Sequence, residues 1–547
     1  MKIARYLTAG ASVIAMAAAG CLATGASART FYPYKANSTR MNINRPVVHV
    51  GPWEAPYVAP SNARSGKWTD VKASLPFAHG PWGPMQMTDG TVIIQDYCTT
   101  PNQWYKLTPD NKGSYVNGTW SKIATMPSGY SPLFFAQQVL PDGRVIVNGG
   151  EYNASNNSCG GGTWTNKGAL YDPVKDSWTS VAAPAGWSQI GDAESVILPN
   201  GTYMLASCCV RTTGQAALAS INGTKVTWTI QNAWACPAGD PCMDEEGFTP
   251  LPDGNVLSVD VWNTNGGTAD DTWIYNTAAG TWSQSANTSC YLSDASSFEL
   301  GPAALRPDGT IINFGDNPSC NSMYNISKGK WTSAPDFPLS GYDMADAPAA
   351  TLPDGNVLAQ ASPGVFDSPS HFFEYSVDSK GNQKITQVND PAEAQGTSSF
   401  EGNLLVLPTG QVLWDNSQVR PNEVALYTPT GRAKGTWRPK VKSVSASLGI
   451  GSTGNAISGK NFNGFSLGGV YGDDAQASTN WPLVRITNTS TGDVCFGRSY
   501  DFSTMGVWTK GTTKAEFDIP NSCESGASTL QVIVNGIASR GVSVTLS

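Results

Sequence analysis

Seven times along this chain an apolar stretch runs into a short polar turn ending in glycine, then out into a second apolar stretch. The turns are Asp89-Gly90, Asp142-Gly143, Asn200-Gly201, Asp253-Gly254, Asp308-Gly309, Asp354-Gly355 and Thr409-Gly410. Their surroundings read VLPDGRVIVNGG, ILPNGTYMLAS, PLPDGNVLSVD, TLPDGNVLAQA and VLPTGQVLWD. Asp-Gly or Asn-Gly between apolar runs is a strong hairpin signal, because glycine takes the positive φ that the turn demands. The pattern therefore predicts seven hairpins with two-residue turns, spaced 53, 58, 53, 55, 46 and 55 residues apart. A second marker keeps step. Trp68, Trp120, Trp178, Trp228, Trp282 and Trp331 each precede a turn by 21 to 26 residues, in phrases such as GTWSK and DSWTS. Only the last blade departs, with Ile385 near the tryptophan position.

Two markers in phase over seven copies resemble kelch repeats, whose units are four-stranded blades around a central channel. The expected fold is all-β: a seven-bladed kelch-type β-propeller. Trp68 lies upstream of the first hairpin, which predicts that an N-terminal strand completes the last blade and closes the ring. From about Lys440 short alternating strands follow (VKSVSAS, NAISGKNF, PLVRIT, AEFDIP, STLQVIVNG, GVSVTL). Their number suits an immunoglobulin-like β-sandwich of about 100 residues. The domain boundaries read 1–28 for a signal peptide, 29–65 for an N-terminal extension, 66–435 for the propeller and 440–547 for the sandwich.

Composition narrows the setting. Gly 57 and Pro 36 among 547 residues fit a fold of many turns, and a formal charge of −8 without a basic run excludes nucleic acid as an expected partner. Lys2 and Arg5, the apolar stretch from Leu7 to Ala19 and the small-residue site Ala26-Ser27-Ala28 predict export by a signal peptide. Ala18-Ala19-Gly20-Cys21 is the competing lipid-anchor reading at Cys21, less favoured because such boxes usually carry leucine where Ala18 stands. No later stretch approaches the ~20 apolar residues of a membrane span. The expected location is secreted or periplasmic. Ten cysteines remain beyond the leader, an even number that favours disulfides in an exported chain. The expected pairs are Cys236 with Cys242, Cys290 with Cys320, and Cys495 with Cys523.

A leader, seven kelch blades and a C-terminal sandwich together resemble the galactose oxidase family and its bacterial relatives, and YGDDAQASTNWPLVRI and STMGV look like the C-terminal domain of those relatives. In that family copper is held by two tyrosines and two histidines, one tyrosine being cross-linked to a cysteine. Here the matching positions carry Phe134, Ala345 and Asp346, and PFAHGPWGPMQMTDG lacks the cysteine. RSYDFS offers Tyr500 and Phe502 where relatives carry a histidine, and the chain has only His49, His79 and His371. The resemblance thus implies the fold, while a copper-radical site is not expected.

Counting eight residues back from each turn gives Pro81, Phe134, Asp192, Glu245, Leu300, Asp346 and Glu401. Four of these seven are acidic, whereas 42 acidic residues in 547 predict about half a residue by chance. Glu299, Asp244, Glu194 and Asp343 stand close by. Equal distance from equivalent turns means equal height on equivalent strands, so these carboxylates should ring one mouth of the channel. Clustered carboxylates must take up protons, water or a counter-cation. Calcium suits hard oxygen donors, with Asp192, Glu245, Asp346 and Glu401 as its candidate ligands. Tyr130, Phe134 and Trp187 fall in segments leading to inner strands, where aromatic faces stack on sugar rings. The expected function is binding, and processing where catalysis exists, of a carbohydrate or surface polymer at this acidic mouth. The alternatives left open are a copper-radical carbohydrate or alcohol oxidase, a glycan hydrolase or lyase using the carboxylates, and a non-catalytic scaffold for protein partners.

Overall fold

The computed structural model describes residues 66–547 apart from 155–163, 211, 237–240, 264–266, 295–296, 318–319, 392–393, 395, 418–422, 473–475 and 478. The leader, the extension and Cys21 lie outside the described residues. Seven four-stranded antiparallel sheets follow one another along the chain. The first is Pro81–Gln86, Val92–Asp96, Trp104–Thr108 and Thr119–Lys122. The sixth is Ala349–Thr351, Val357–Ala361, His371–Val377 and Gln383–Gln387. The seventh takes three strands from Gly402–Val406, Val412–Asn416 and Glu423–Thr428, and its outermost strand from Lys67–Asp70 at the other end of the chain. Trp68 pairs with Tyr427, so the first described strand closes the ring as the repeat phase requires.

The turns differ from expectation by one residue. In every blade the residue three before the glycine accepts from the glycine N–H, and its own N–H bonds the carbonyl just after the glycine, as at Leu140, Gly143 and Arg144. The loop thus holds three residues, with glycine in the left-handed conformation at φ of 80 to 91°. A type I turn followed by a left-handed glycine makes such a loop, and a side chain there would be strained. The residue before the glycine has a role of its own. Asp89, Asp142, Asn200, Asp253, Asp308 and Asp354 each accept from the backbone N–H two residues on, and Thr409 does so through its hydroxyl. That self-bond is why the repeat spells Asp-Gly.

The tryptophans stitch blades together. Trp178 and Trp228 donate their indole N–H to Ala124 and Ala182 in the segments leaving the preceding blades, and Trp68 does the same to Asn389. Each marker therefore belongs to the blade before the turn it precedes. Ile385, paired with Tyr375, interrupts the sixth blade and not the last, whose marker is Trp68.

From Lys440 to Leu546 the C-terminal strands form one nine-stranded sheet, curled over Val484, Ile486, Phe517, Leu530 and Val532, broadly the sandwich expected. This domain sits against the turn face of the propeller. Ser499 and Met505 donate backbone N–H groups to Thr88 and Pro199, and a Cβ at Gly90 would meet the Phe496 ring at 2.5 Å. One segment goes further. Backbone bonds join Leu467 to Leu305 and Thr351, Gly468 to Val406, and Val470 to Ala349, so residues 467–472 run along the innermost strands of three blades. They end at the opposite face, against the acidic residues. The expected disulfides Cys236–Cys242, Cys290–Cys320 and Cys495–Cys523 are formed, and Cys208–Cys209 joins two neighbours in sequence.

Candidate site at the channel mouth

Several approaches to the inner strands pass through residues with left-handed backbones. Phe134, Glu245 and Asp346 have φ of 49, 62 and 46°, and all three stand at the eight-residue position. Non-glycine residues in this conformation cost about 1 kcal/mol each, and such strain tends to gather where a site needs it. Carboxylate oxygens of Glu245, Glu299 and Asp346 all lie within 4.8 Å of one another. A second group, Asp192, Asp244 and the sulfur of Cys208, meets the same limit beside it. The C-terminal segment closes one side, since a Cβ on Gly472 would stand 2.3 Å from Asp346 Oδ1.

The mouth is buried and strongly acidic. Glu299 is 9 % exposed and Asp192 8 %, and Glu299 Oε2, Asp192 Oδ1 and Asp346 Oδ1 have no hydrogen-bond partner. Among the described residues no salt bridge reaches any of these three. Burial, then the charge of Asp346, pushes Asp192 up to about 7, and burial alone raises Asp346 to about 6 against a bond toward Glu299. Glu299 is held well above the usual carboxylate range by burial and by Asp346. Burial and Asp294 lift Asp343 to about 7, and burial lifts Glu194 to about 8. A cluster in this condition holds protons or a cation.

Other expected residues are placed differently. Glu401 ends a short 3-10 turn at Ser399–Glu401 and accepts from the Ser398 N–H at 3.1 Å, a capping bond outside the trio. Tyr130 is buried and donates its hydroxyl to Gly149, while Trp187 donates its indole N–H to Gln215. Phe134 accepts the Glu151 N–H on its backbone carbonyl at 2.9 Å. It packs edge-on against Trp82 at 5.2 Å, with Tyr97 and Tyr152 beyond it and Tyr471 on the far side of Trp82.

Three participants were missed by counting back from the turns. Glu151 is raised by burial and by Asp192, Asp316 by burial and by Asp343, and Cys208 lies against Asp192. All three follow a second strand. Counting forward instead, Cys208 and Asp316 stand eight residues past their turns and Glu151 nine. Both ends of each hairpin return to this face, so the forward count carries the same information as the backward one.

No protein-family model matches the chain. A stretch of 93 residues is 29% identical to the Kelch-like protein terF of Aspergillus terreus, covering 17% of this chain and 19% of that protein. Seven sheets, an outermost strand from the N-terminus and a C-terminal β domain bonded along the inner strands decide the architecture. The chain is a seven-bladed β-propeller with a C-terminal β domain. Among solved structures, this propeller is similar to a fungal alcohol oxidase of the AA5 family in complex with copper, at 13% identity, with 88% of this chain and 99% of that one covered and a TM-score of 0.47. A chain of the mitotic checkpoint complex follows at 11% identity, 71% and 99% coverage and a TM-score of 0.42. At the positions that the resemblance aligns with copper ligands the chain carries Phe134, Ala345 and Asp346, which supply neither phenolate nor imidazole.

Proposed function

We propose that the channel mouth is a hard-cation centre, filled by calcium, through which the propeller binds a carbohydrate or surface polymer outside the cell. The observation that carries this reading is the convergence of Glu245, Glu299 and Asp346 within 4.8 Å, with Glu299 nine-tenths buried and one of its oxygens without a partner. Three carboxylate donors suit an ion that takes six to eight oxygen ligands. Vacant positions on such an ion accept the adjacent hydroxyls of a sugar. Four disulfides among the described residues are consistent with an extracellular setting, where calcium is abundant. Extracellular calcium modules bind at roughly 0.1–1 mM, and this range sets the assay.

The test is calorimetric titration of the full-length, chelator-treated protein with calcium chloride. Saturable binding that Glu299→Gln and Asp346→Asn each weaken at least tenfold supports the centre. Heat no different from buffer up to several millimolar removes it. Pull-down on insoluble polysaccharides with calcium or with chelator then reads the second half of the proposal.

A further inference from the structure

Cys208 and Cys209 lie just past the strand Tyr203–Ala206, on the loop that returns to the acidic face. The Cys208 sulfur stands within 4.8 Å of a carboxylate oxygen from Asp192 and one from Asp244. All three side chains are at least nine-tenths buried, at 0, 8 and 2 % exposure. Room for the sulfur comes from Gly191, where a Cβ would lie 2.2 Å from Cys208 Sγ, so any side chain beside Asp192 would displace it. The Cys208 N–H is fixed on the Ile190 carbonyl at 3.2 Å, which ties the pair to the segment carrying Asp192. Asp192 Oδ1 faces this group without a hydrogen-bond partner. Cys209 is half-buried, so a small thiol can reach its sulfur.

We infer that Asp192, Asp244 and Cys208 form a second metal site, distinct from the Glu245–Glu299–Asp346 trio, whose donors are completed by reduction of the Cys208–Cys209 bond. In the oxidised chain the sulfur is a weak donor, and two carboxylates alone hold a soft ion poorly. A small dithiol reductant attacks the half-buried Cys209 sulfur. Two electrons and two protons pass to the pair, the S–S bond breaks, and the reductant leaves as its own disulfide. The Cys208 thiol then gives its proton to solvent as it binds the metal. One thiolate and two carboxylates leave a fourth position for Cys209 or water, a set suited to tetrahedral zinc. The redox state of one bond thus decides whether the mouth takes a thiophilic ion.

The experiment uses the full-length protein, oxidised or treated with dithiothreitol and desalted without oxygen, titrated with zinc alone. Cobalt(II) serves as a spectroscopic stand-in whose thiolate charge-transfer band reports sulfur ligation. Reduced protein should bind one more zinc per chain than the reduced Cys208→Ser/Cys209→Ser variant, which keeps every other cysteine and so cancels zinc taken up by those. Asp244→Asn, which keeps both cysteines, should weaken that extra site at least tenfold and remains readable if the double variant fails to fold. Equal zinc uptake by reduced wild type and double variant overturns the inference. So does an extra zinc that Asp244→Asn leaves unchanged. Calcium binding to the oxidised protein reads the trio independently, so either site can fail without the other.

Discussion

Asp346 concentrates the conflict within the mouth. Its backbone is left-handed, its carboxylate raises both Asp192 and Glu299, and Gly472 is pressed against it. Removing that charge relieves its neighbours, so cation-free Asp346→Asn should melt above cation-free wild type, by a margin on the order of 1–2 kcal/mol for one less buried charge. Calcium, which should raise the wild-type melting temperature, should leave the variant's unchanged. Differential scanning calorimetry with and without calcium checks both, and a destabilised cation-free variant would contradict the charge argument. A second carboxylate gives a pH test away from the proposed ligands. Asp270 is fully buried, accepts from the Leu292 N–H at 2.7 Å, and is raised by burial from 3.8 to about 7. Between those values the unfolded chain has released a proton that the folded chain still holds. Stability from this group is therefore complete below about pH 4 and declines as pH rises toward 7. Asp270→Asn keeps an acceptor for Leu292 and cannot ionise, so its melting temperature should fall less steeply over that window. Parallel slopes for variant and wild type would rule the assignment out.

At the level of hairpins and blades, most of the fold could be read from the chain because its instructions are local. Asp-Gly marks a turn through the glycine's positive φ and the aspartate's bond to the next strand, and both causes lie within a few residues of each other. Trp178 and Trp68 were legible as markers, yet their partners Ala124 and Asn389 were not, since inter-blade bonds join residues 54 and 321 positions apart. The candidate site divides the same way. Counting back from the turns reached Asp192, Glu245 and Asp346, because equal strand lengths bring equal heights. It also reached Glu401, which accepts a capping bond from the Ser398 N–H, and it passed over Glu151, Asp316 and Cys208, which arrive from the other end of the hairpins. The turn glycines give the element-scale prediction. Gly143→Ala places a side chain at φ 82° and 2.9 Å from Thr88 Oγ1, and should cost about 1–2 kcal/mol in chemical denaturation. Gly186→Ala, at φ 86° with nothing within 4 Å, isolates the backbone part of that cost. If the two variants lose equal stability, contact across the turn face contributes nothing.

For the molecule, two distant ends of the chain converge on one ring. Lys67–Asp70 seals the seventh blade, with Trp68 set among Phe372, Trp414 and Tyr427 at 4.7 to 6.0 Å, while residues 467–472 line the inner strands and reach the acidic face at Gly472. The seal bears on stability and the central segment on the site, and the two can be separated. Trp68→Ala should cost about 3–5 kcal/mol, as loss of a packed aromatic does, and leave calcium affinity unaltered because the closure lies at the outer rim. Gly472→Ala should do the reverse. Its new methyl would fall 2.3 Å from Asp346 Oδ1 and 2.9 Å from the Leu300 carbonyl, so Asp346 must move to admit it. The shift acts on one ligand of the trio and on few core contacts, hence calcium affinity should drop at least tenfold with a small change in melting temperature. Calorimetric titration of both variants beside wild type separates the effects. Should Gly472→Ala bind calcium as wild type does, the C-terminal segment packs against the mouth without setting its geometry, and Asp346 owes its position to the sixth blade.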